Sequence, residues 1–272
     1  MFNNRKTSTL MASPYFAWAV IFIVVPLFMI IWYGLTDDTG AFTFANIASI
    51  AQPEHLKALW LALELSVIST VICFILAYPL GMILAKNNVG RSGIITTLFI
   101  LPMWMNFLLR TLAWMTLLEN KGIINGILGA LHLPLIHIIN TPAAIVIGMV
   151  YNFLPFMILP IYNSLAKIDD NVINAARDLG ANKFQTFMRV TLPLTVPGII
   201  SGVTMVFIPA LTTFAISTMM GGSKILLIGN VIEQEFTLTY DWHLGSGLSL
   251  ILMVFIIINM VISIVSERKE ND

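Results

Sequence analysis

Six long apolar runs alternate with shorter polar segments along the chain: Pro14–Gly34, Leu59–Ala85, Ile94–Leu118, Ala143–Tyr162, Pro197–Met220 and Leu248–Ser266. A helix needs ~20 residues to cross a hydrocarbon core, and each run is about that long or longer. None shows the short alternating segments of a barrel strand. In lipid the backbone must satisfy its own hydrogen bonds, so such runs have to be helices. The pattern predicts an all-α integral membrane protein with six transmembrane helices. The first run follows Arg5 and Lys6, as in a signal peptide. It exceeds the roughly 7–15 apolar residues of such a peptide and lacks a clear small-residue cleavage site, so it is expected to stay as an anchor.

Three polar or mixed stretches depart from simple connections. Lys121–His132 carries Ile123, Ile124, Ile127, Leu128 and Leu131 at helical spacing, which predicts a short helix lying on the membrane surface. Gly221–Gly245 joins a Gly-Gly turn and the apolar run Ile225–Ile228 to the acids Glu233, Glu235 and Asp241, and is not a simple linker, although the acids alone suit a solvated loop equally well. Asn174–Pro193 is a helix-forming island far longer than a turn requires. Val172, Ile173, Ala176 and Leu179 make one small apolar face, and Gly180 supplies a helix end. Phe184, Phe187 and Met188 make a second face before Pro193. Two short helices joined at a glycine and exposed to water predict a docking surface.

Composition agrees with the pattern: 58% of residues are hydrophobic and 10% charged. A soluble domain carries roughly 25% charge, so this chain cannot cover a water-facing surface. The net charge of +0 says nothing of partners, but the placement of the charges sets orientation. With the N-terminus inside, Arg5, Lys6, Lys86, Arg91, Lys167, Arg177, Lys183, Arg189, Arg268 and Lys269 lie inside, and only Lys57, Lys121 and Lys224 lie outside. Both termini and the island are then cytoplasmic. No repeat is evident. The chain divides into residues 1–58, holding the N-terminus, a first helix peripheral to the rest and an outer loop; a membrane domain 59–266 with a cytoplasmic loop 164–196; and a tail, 267–272.

Catalytic chemistry is missing from the sequence. There is no G-x-x-x-x-G-K-[ST] stretch to hold ATP, and His55, His132, His137 and His243 have no metal-ligand spacing. Cys73 is the only cysteine and falls inside an apolar run, which suits packing. No aromatic-interleaved basic patch suggests nucleic acid. Pro26, Pro79, Pro102, Pro155, Pro160 and Pro209 interrupt the spans and suit helices bent around a pathway. Gly198 and Gly202 permit close helix packing. Glu64 and Arg110 lie within spans, roughly 10 and 12 Å below the outer surface. An unpaired charge at a helix centre costs ~2.5–3.5 kcal/mol, so the matched depths suggest either an ion pair bracing an outer gate or a Glu64 that faces a pathway. Asp241 and Trp242 offer a carboxylate and an aromatic face suited to an ammonium ligand, or a plain interfacial anchor.

The island also resembles a known motif. Ala175-Ala176, then Gly180, Val190 and Leu192-Pro193, is similar in spacing to the "EAA" loop of type I ABC importer permeases, with Asn174 where that family has Glu and Val190 where it usually has Ile. The stretches Leu101–Arg110 (holding Trp104 and Asn106), Tyr151–Pro160, Met220–Val231 and Asp241-Trp242 resemble the B-type permease subunit of spermidine/putrescine importers. The resemblance implies a type I permease fold in a bacterial cytoplasmic membrane and no enzyme activity in this chain. It implies a C-type permease as heterodimer partner, an extracytoplasmic polyamine-binding protein, and two ATP-binding subunits that carry ATP and Mg and dock on the Asn174–Pro193 loop. Asn174 removes a carboxylate from that docking. The competing readings are a permease for another small solute, and a secondary transporter or channel for an organic cation. Against the latter stands the expectation of continuous spans, without repeated halves or broken helices.

Overall fold

The computed structural model describes the backbone of residues 14–86 and 101–271, and the side chains of these except Pro102, Ser223 and 264–271. Arg5, Lys6, Arg91 and the segment Ile94–Ile100 lie outside the described residues, as do the side chains of Arg268 and Lys269. Helix dominates, and among the described residues the one β feature is an isolated bridge between Thr36 and Phe42. The helices are α1 (Pro14–Gly34), α2 (Pro53–Lys86), α3 (Phe107–Leu118), α4 (Ile123–Ala130), α5 (Pro142–Leu165), α6 (Asp170–Asp178), α7 (Lys183–Leu194), α8 (Val196–Thr212), α9 (Ala215–Gly221), α10 (Ile228–Gln234) and α11 (Trp242–Asn271). Four of them, α1, α2, α5 and α11, are long and apolar enough to cross a membrane. A fifth span results if α7 and α8, bent by 62°, are taken together.

The four long helices match the predicted runs, but two of the six predicted spans are not continuous. The third is broken before Asn106, whose backbone leaves the helical region (φ −55°, ψ 128°) and whose Oδ1 accepts the N–H groups of Leu108 and Leu109 at 2.9 and 3.3 Å. An asparagine that caps so well starts a helix rather than continuing one. The fifth predicted span, Pro197–Met220, stops at Thr212, where Thr213 turns extended (φ −65°, ψ 137°) before α9 begins. Broken helices are therefore present, contrary to the expectation of continuous spans. The stretch Gly221–Gly245 is more than a linker, as its sequence suggests, since it holds α10.

Two compact units emerge, one of Met1–Leu56 with Val231–Phe255 and one of Lys57–Asn230 with Ile256–Asp272. The second is built on α5. Small residues on α2, namely Ala62, Ser66, Ser69, Cys73, Ala77 and Gly81, recur every three or four positions and are buried. That stripe seats α2 on α5: Ser69 Oγ donates to Met149 Sδ at 3.3 Å, and Cys73 Sγ to the Val150 carbonyl at 3.8 Å. Cys73 is thus a packing residue. On an adjoining face α5 receives α8, where a Cβ at Gly198 would lie 2.6 Å from the Pro160 carbonyl and one at Gly202 2.8 Å from Met157 Sδ. Lipid tails are as apolar as leucine, so this close backbone approach, rather than hydrophobic burial, holds such helices together. The middle of α8 meets α11 through Ser263, whose hydroxyl donates to Thr204 Oγ at 2.6 Å while Thr204 donates to the Ile200 carbonyl.

In the first unit α1 leaves its apolar stretch unburied. A wide turn at Val20–Val24 precedes Pro26, whose ring would press on the Phe22 carbonyl of a regular helix. The last carbonyls of α1 have no helical partners. Asn46 Nδ2 donates to Thr36 O at 2.8 Å and Tyr33 O at 3.3 Å. His243 Nδ1 lies 2.6 and 3.0 Å from the same two oxygens, and since carbonyls only accept, that nitrogen carries the proton. His243 is a helix cap contributed from 210 residues away. In the neighbouring turn the Thr39 hydroxyl, followed by the Ala41 N–H, holds the exposed Asp37 carboxyl below the usual carboxylate range.

Helix α4 forms where the sequence places a surface helix. Its Asn125 is buried, donating to the carbonyls of Glu119 and Ile136 and accepting the Ile136 N–H, while Ile123, Ile127 and Leu131 remain exposed along one stripe.

Candidate functional site: a two-helix elbow and an intramembrane polar cluster

The segment 169–195 is assembled from local rules. Asp169 caps α6 by accepting the Asn171 N–H at 2.9 Å. At the other end the Gly180 N–H reaches the Arg177 carbonyl at 2.8 Å and the Ala181 N–H reaches Ala176 at 3.1 Å. That pair of bonds is the Schellman motif, which demands a left-handed residue, and Gly180 sits at φ +85°. One residue later Asn182 and Gln185 form a capping box, each side chain accepting the other's backbone N–H at 2.8 and 2.9 Å. Both helix ends at the joint are closed by hydrogen bonds, so the elbow is preformed.

Several of its apolar side chains point away from the protein, whereas Ile173 is half-buried and Phe187 turns in against Tyr78. Leu179 is 89% exposed and Phe184 71%, with Val172 and Met188 also exposed. Asn174 and Ala175 are exposed beside them, and Ala176 is half-buried. Val190 and Leu192 are half-buried and Pro193 is exposed at the far end of α7, where a wide turn Phe187–Thr191 packs against α6. A leucine and a phenylalanine held this far into solvent by a closed turn form an apolar surface without a partner among the described residues.

Inside the second unit α3 and α5 bring polar groups together. Arg110 is 7% exposed with its guanidinium carbon 5.9 Å from the centre of the Tyr151 ring, and Trp114 packs on the same ring at 5.1 Å. Asn152, 1% exposed, donates to the Gly148 carbonyl at 2.9 Å and to Thr111 Oγ at 3.3 Å. Glu64 is not part of this cluster. It is exposed and forms no ion pair among the described residues, so the brace between Glu64 and Arg110 is not made. The reason is rotational. Glu64 lies two residues from Ala62, roughly 200° around the helix from the stripe that faces α5. It shares its face with exposed Trp60, Val67 and Val71.

Trp104 is 79% exposed at the end of the turn Leu101–Trp104, and Asn106 serves as the α3 cap. In the first unit Asp241 Oδ1 accepts the Leu244 N–H at 2.8 Å, which makes it the cap of α11. Trp242 rests against Phe236 and Tyr33 with ring centres 5.5 and 6.3 Å apart. Both residues thus have structural duties. Sequence reading missed the buried Asn230, whose amide bonds Phe214, Ser217, Thr218 and Leu227, and the capping role of His243, because an asparagine in an apolar run and a lone histidine carry no spacing signal.

The described residues contain no group of three or more metal-ligating side chains. A model of the family described as "binding-protein-dependent transport system inner membrane component" matches residues 77–268. The chain is 39% identical over 260 residues to the spermidine/putrescine transport system permease protein PotB of Haemophilus influenzae, covering 92% of this chain and 91% of that one. To the PotB protein of Escherichia coli it is 40% identical over 246 residues, covering 87% and 89%. Among solved structures it superposes on a chain of the bacterial alginate ABC transporter in complex with an alginate pentasaccharide-bound periplasmic protein. The TM-score is 0.77 at 14% identity, over 94% and 92% of the two chains. The inward-facing MetNI methionine ABC transporter gives 0.59 at 19% identity, over 81% and 99%. At such identities the structural likeness speaks to fold alone.

Proposed function

The chain belongs to the binding-protein-dependent transport system inner membrane components, the permease subunits of ABC importers, and on that premise we propose that it is one permease of a polyamine importer for spermidine, putrescine or both. The observation that carries the substrate is identity of 39–40% to spermidine/putrescine permeases over most of both chains. The chain sits in a bacterial cytoplasmic membrane as six spans with both termini inside, supported by ten inner against three outer lysines and arginines. It pairs with a C-type permease and receives polyamine from an extracytoplasmic binding protein. The α6–α7 elbow docks one of two ATP-binding subunits, with Leu179 and Phe184 entering its groove and Asn174 forgoing a carboxylate contact. ATP and Mg²⁺ belong to those subunits, and this chain has no P-loop. ATP binding draws the two elbows together and opens the pathway outward, and hydrolysis returns it inward.

Within that arrangement Glu64, exposed beside Trp60, faces the paired permease and attracts the ammonium groups of the substrate. Exchanging the charges, Glu64→Arg with Arg110→Glu, is expected to leave transport as dead as either single change, because the two side chains do not meet. Recovery of uptake in the double variant would restore the ion pair and sink the substrate role. The functional reading itself is tested by radiolabelled putrescine and spermidine uptake in cells carrying the full transporter with or without this chain. Uptake of at least one should require it. Unchanged uptake of both on its removal would refute the polyamine assignment.

A further inference from the structure

Between α7 and α8 the backbone ladder is thinned, although the Thr195 N–H still reaches the Thr191 carbonyl at 3.2 Å and the Ile199 N–H the Thr195 carbonyl at 3.0 Å. Pro193 and Pro197 lack N–H donors, and the two helices diverge by 62° at the single residue Thr195. Thr195 is fully buried, and its hydroxyl lies 2.9 Å from the Leu192 carbonyl and 3.1 Å from the Thr191 carbonyl. That hydroxyl spends its proton on a carbonyl and keeps a lone pair. The lone pair faces Tyr78 of α2, whose hydroxyl is 2.9 Å away and is therefore the donor. The Tyr78 ring, 6% exposed, stands edge-on to Phe187 of the wide turn in α7, with ring centres 5.6 Å apart at 84°. Phe74 supports it from one turn back at 5.7 Å.

Tyr78 thus touches the joint itself and the α7 side of the bend. Its own helix is locked to α5 by the small-residue stripe, as α8 is locked by Gly198 and Gly202, so α2, α5 and α8 make one tightly packed body. The elbow hangs from that body through Thr195. We propose that Tyr78 is a positioning residue that fixes the angle at Thr195 and carries displacement of the docking elbow into the transmembrane helices. This rests on the reading of the elbow as the ATPase contact. Without the Tyr78 hydroxyl the joint keeps its packing but loses the bond that defines its angle, and ATP would be hydrolysed with less substrate moved.

The test uses the complete transporter in proteoliposomes, measuring ATP hydrolysis and radiolabelled putrescine and spermidine uptake on the same samples. One net hydrogen bond corresponds to a roughly twofold to tenfold change in an equilibrium. Tyr78→Phe is expected to lower uptake per ATP by about that factor while the complex assembles in normal yield. Thr195→Val should act in the same direction and Thr195→Ser should not. The Phe and Val changes together should cost little more than either alone, as for two partners of one bond. Uptake per ATP at the wild-type value in Tyr78→Phe overturns the inference, as does a loss confined to assembly. ATPase subunits missing from the wild-type complex would instead overturn the functional reading and this inference with it.

Discussion

Gly180→Val should reduce ATP-driven uptake to background while the chain still inserts in the membrane. The position is at φ +85°. A β-branched residue there is a backbone outlier costing of order 1–3 kcal/mol. That strain is relieved only by opening the Schellman turn, which would swing Leu179 and Phe184 out of register. Steric crowding is not the cause, since a Cβ at Gly180 would meet nothing within 4 Å. The substitutions should therefore rank by tolerance of the left-handed region, with Gly180→Asn retaining most activity and Gly180→Val none. Leu179→Asp makes the companion test. At 89% exposure the side chain stabilises nothing in the isolated chain, so folding should be unchanged within ~0.5 kcal/mol. Co-purification of the ATPase should nevertheless be lost, because a carboxylate would have to be desolvated in an apolar groove. Wild-type uptake by Gly180→Val, or normal ATPase recovery with Leu179→Asp, would remove the elbow from the docking surface.

The second large effect is expected at Asn230. It is 2% exposed and every hydrogen-bonding position of its amide is used. Oδ1 accepts from Ser217 Oγ at 2.6 Å and the Leu227 N–H at 3.0 Å, and Nδ2 donates to the Phe214 carbonyl at 3.1 Å and Thr218 Oγ at 2.8 Å. These bonds tie the start of α10 to Phe214, Ser217 and Thr218, the segment that follows the break between Thr212 and Ala215. Removing the amide loses these bonds, each worth ~0.5–1.5 kcal/mol net, and takes from the buried Leu227 N–H its partner, at ~1–3 kcal/mol. Asn230→Leu, of similar size, should destabilise the detergent-solubilised protein by ~3 kcal/mol or more. Ser217→Ala, which removes a single arm, should cost ~1 kcal/mol. Thermal unfolding of the purified variants checks both. If Asn230→Leu unfolds within a degree or two of the parent, the asparagine is not what holds the broken segment.

Spans α1, α2, α5 and α11 were legible in the sequence because a run of about 20 apolar residues in lipid has one low-energy form. The elbow was legible for a different reason. Its Schellman turn and capping box are bonds between residues no more than five apart, so Gly180, Asn182 and Gln185 carry the geometry in their own spacing. What only the tertiary structure decided are the features whose partners come from elsewhere in the chain. Hydropathy averages over a window, and so runs unbroken through Asn106 and Thr213, where a cap or a distant Asn230 makes a break cheaper than continuity. Residue spacing gives depth along a helix but not its rotation, which is why Glu64 and Arg110 matched in depth and yet do not meet. The small-residue stripe of α2 acquires a meaning only when α5 lies against it, and His243 only when the carbonyls of Tyr33 and Thr36 arrive. Local bonds and solvent preference are written in consecutive residues, whereas the satisfaction of a buried polar group depends on which helix the fold brings beside it.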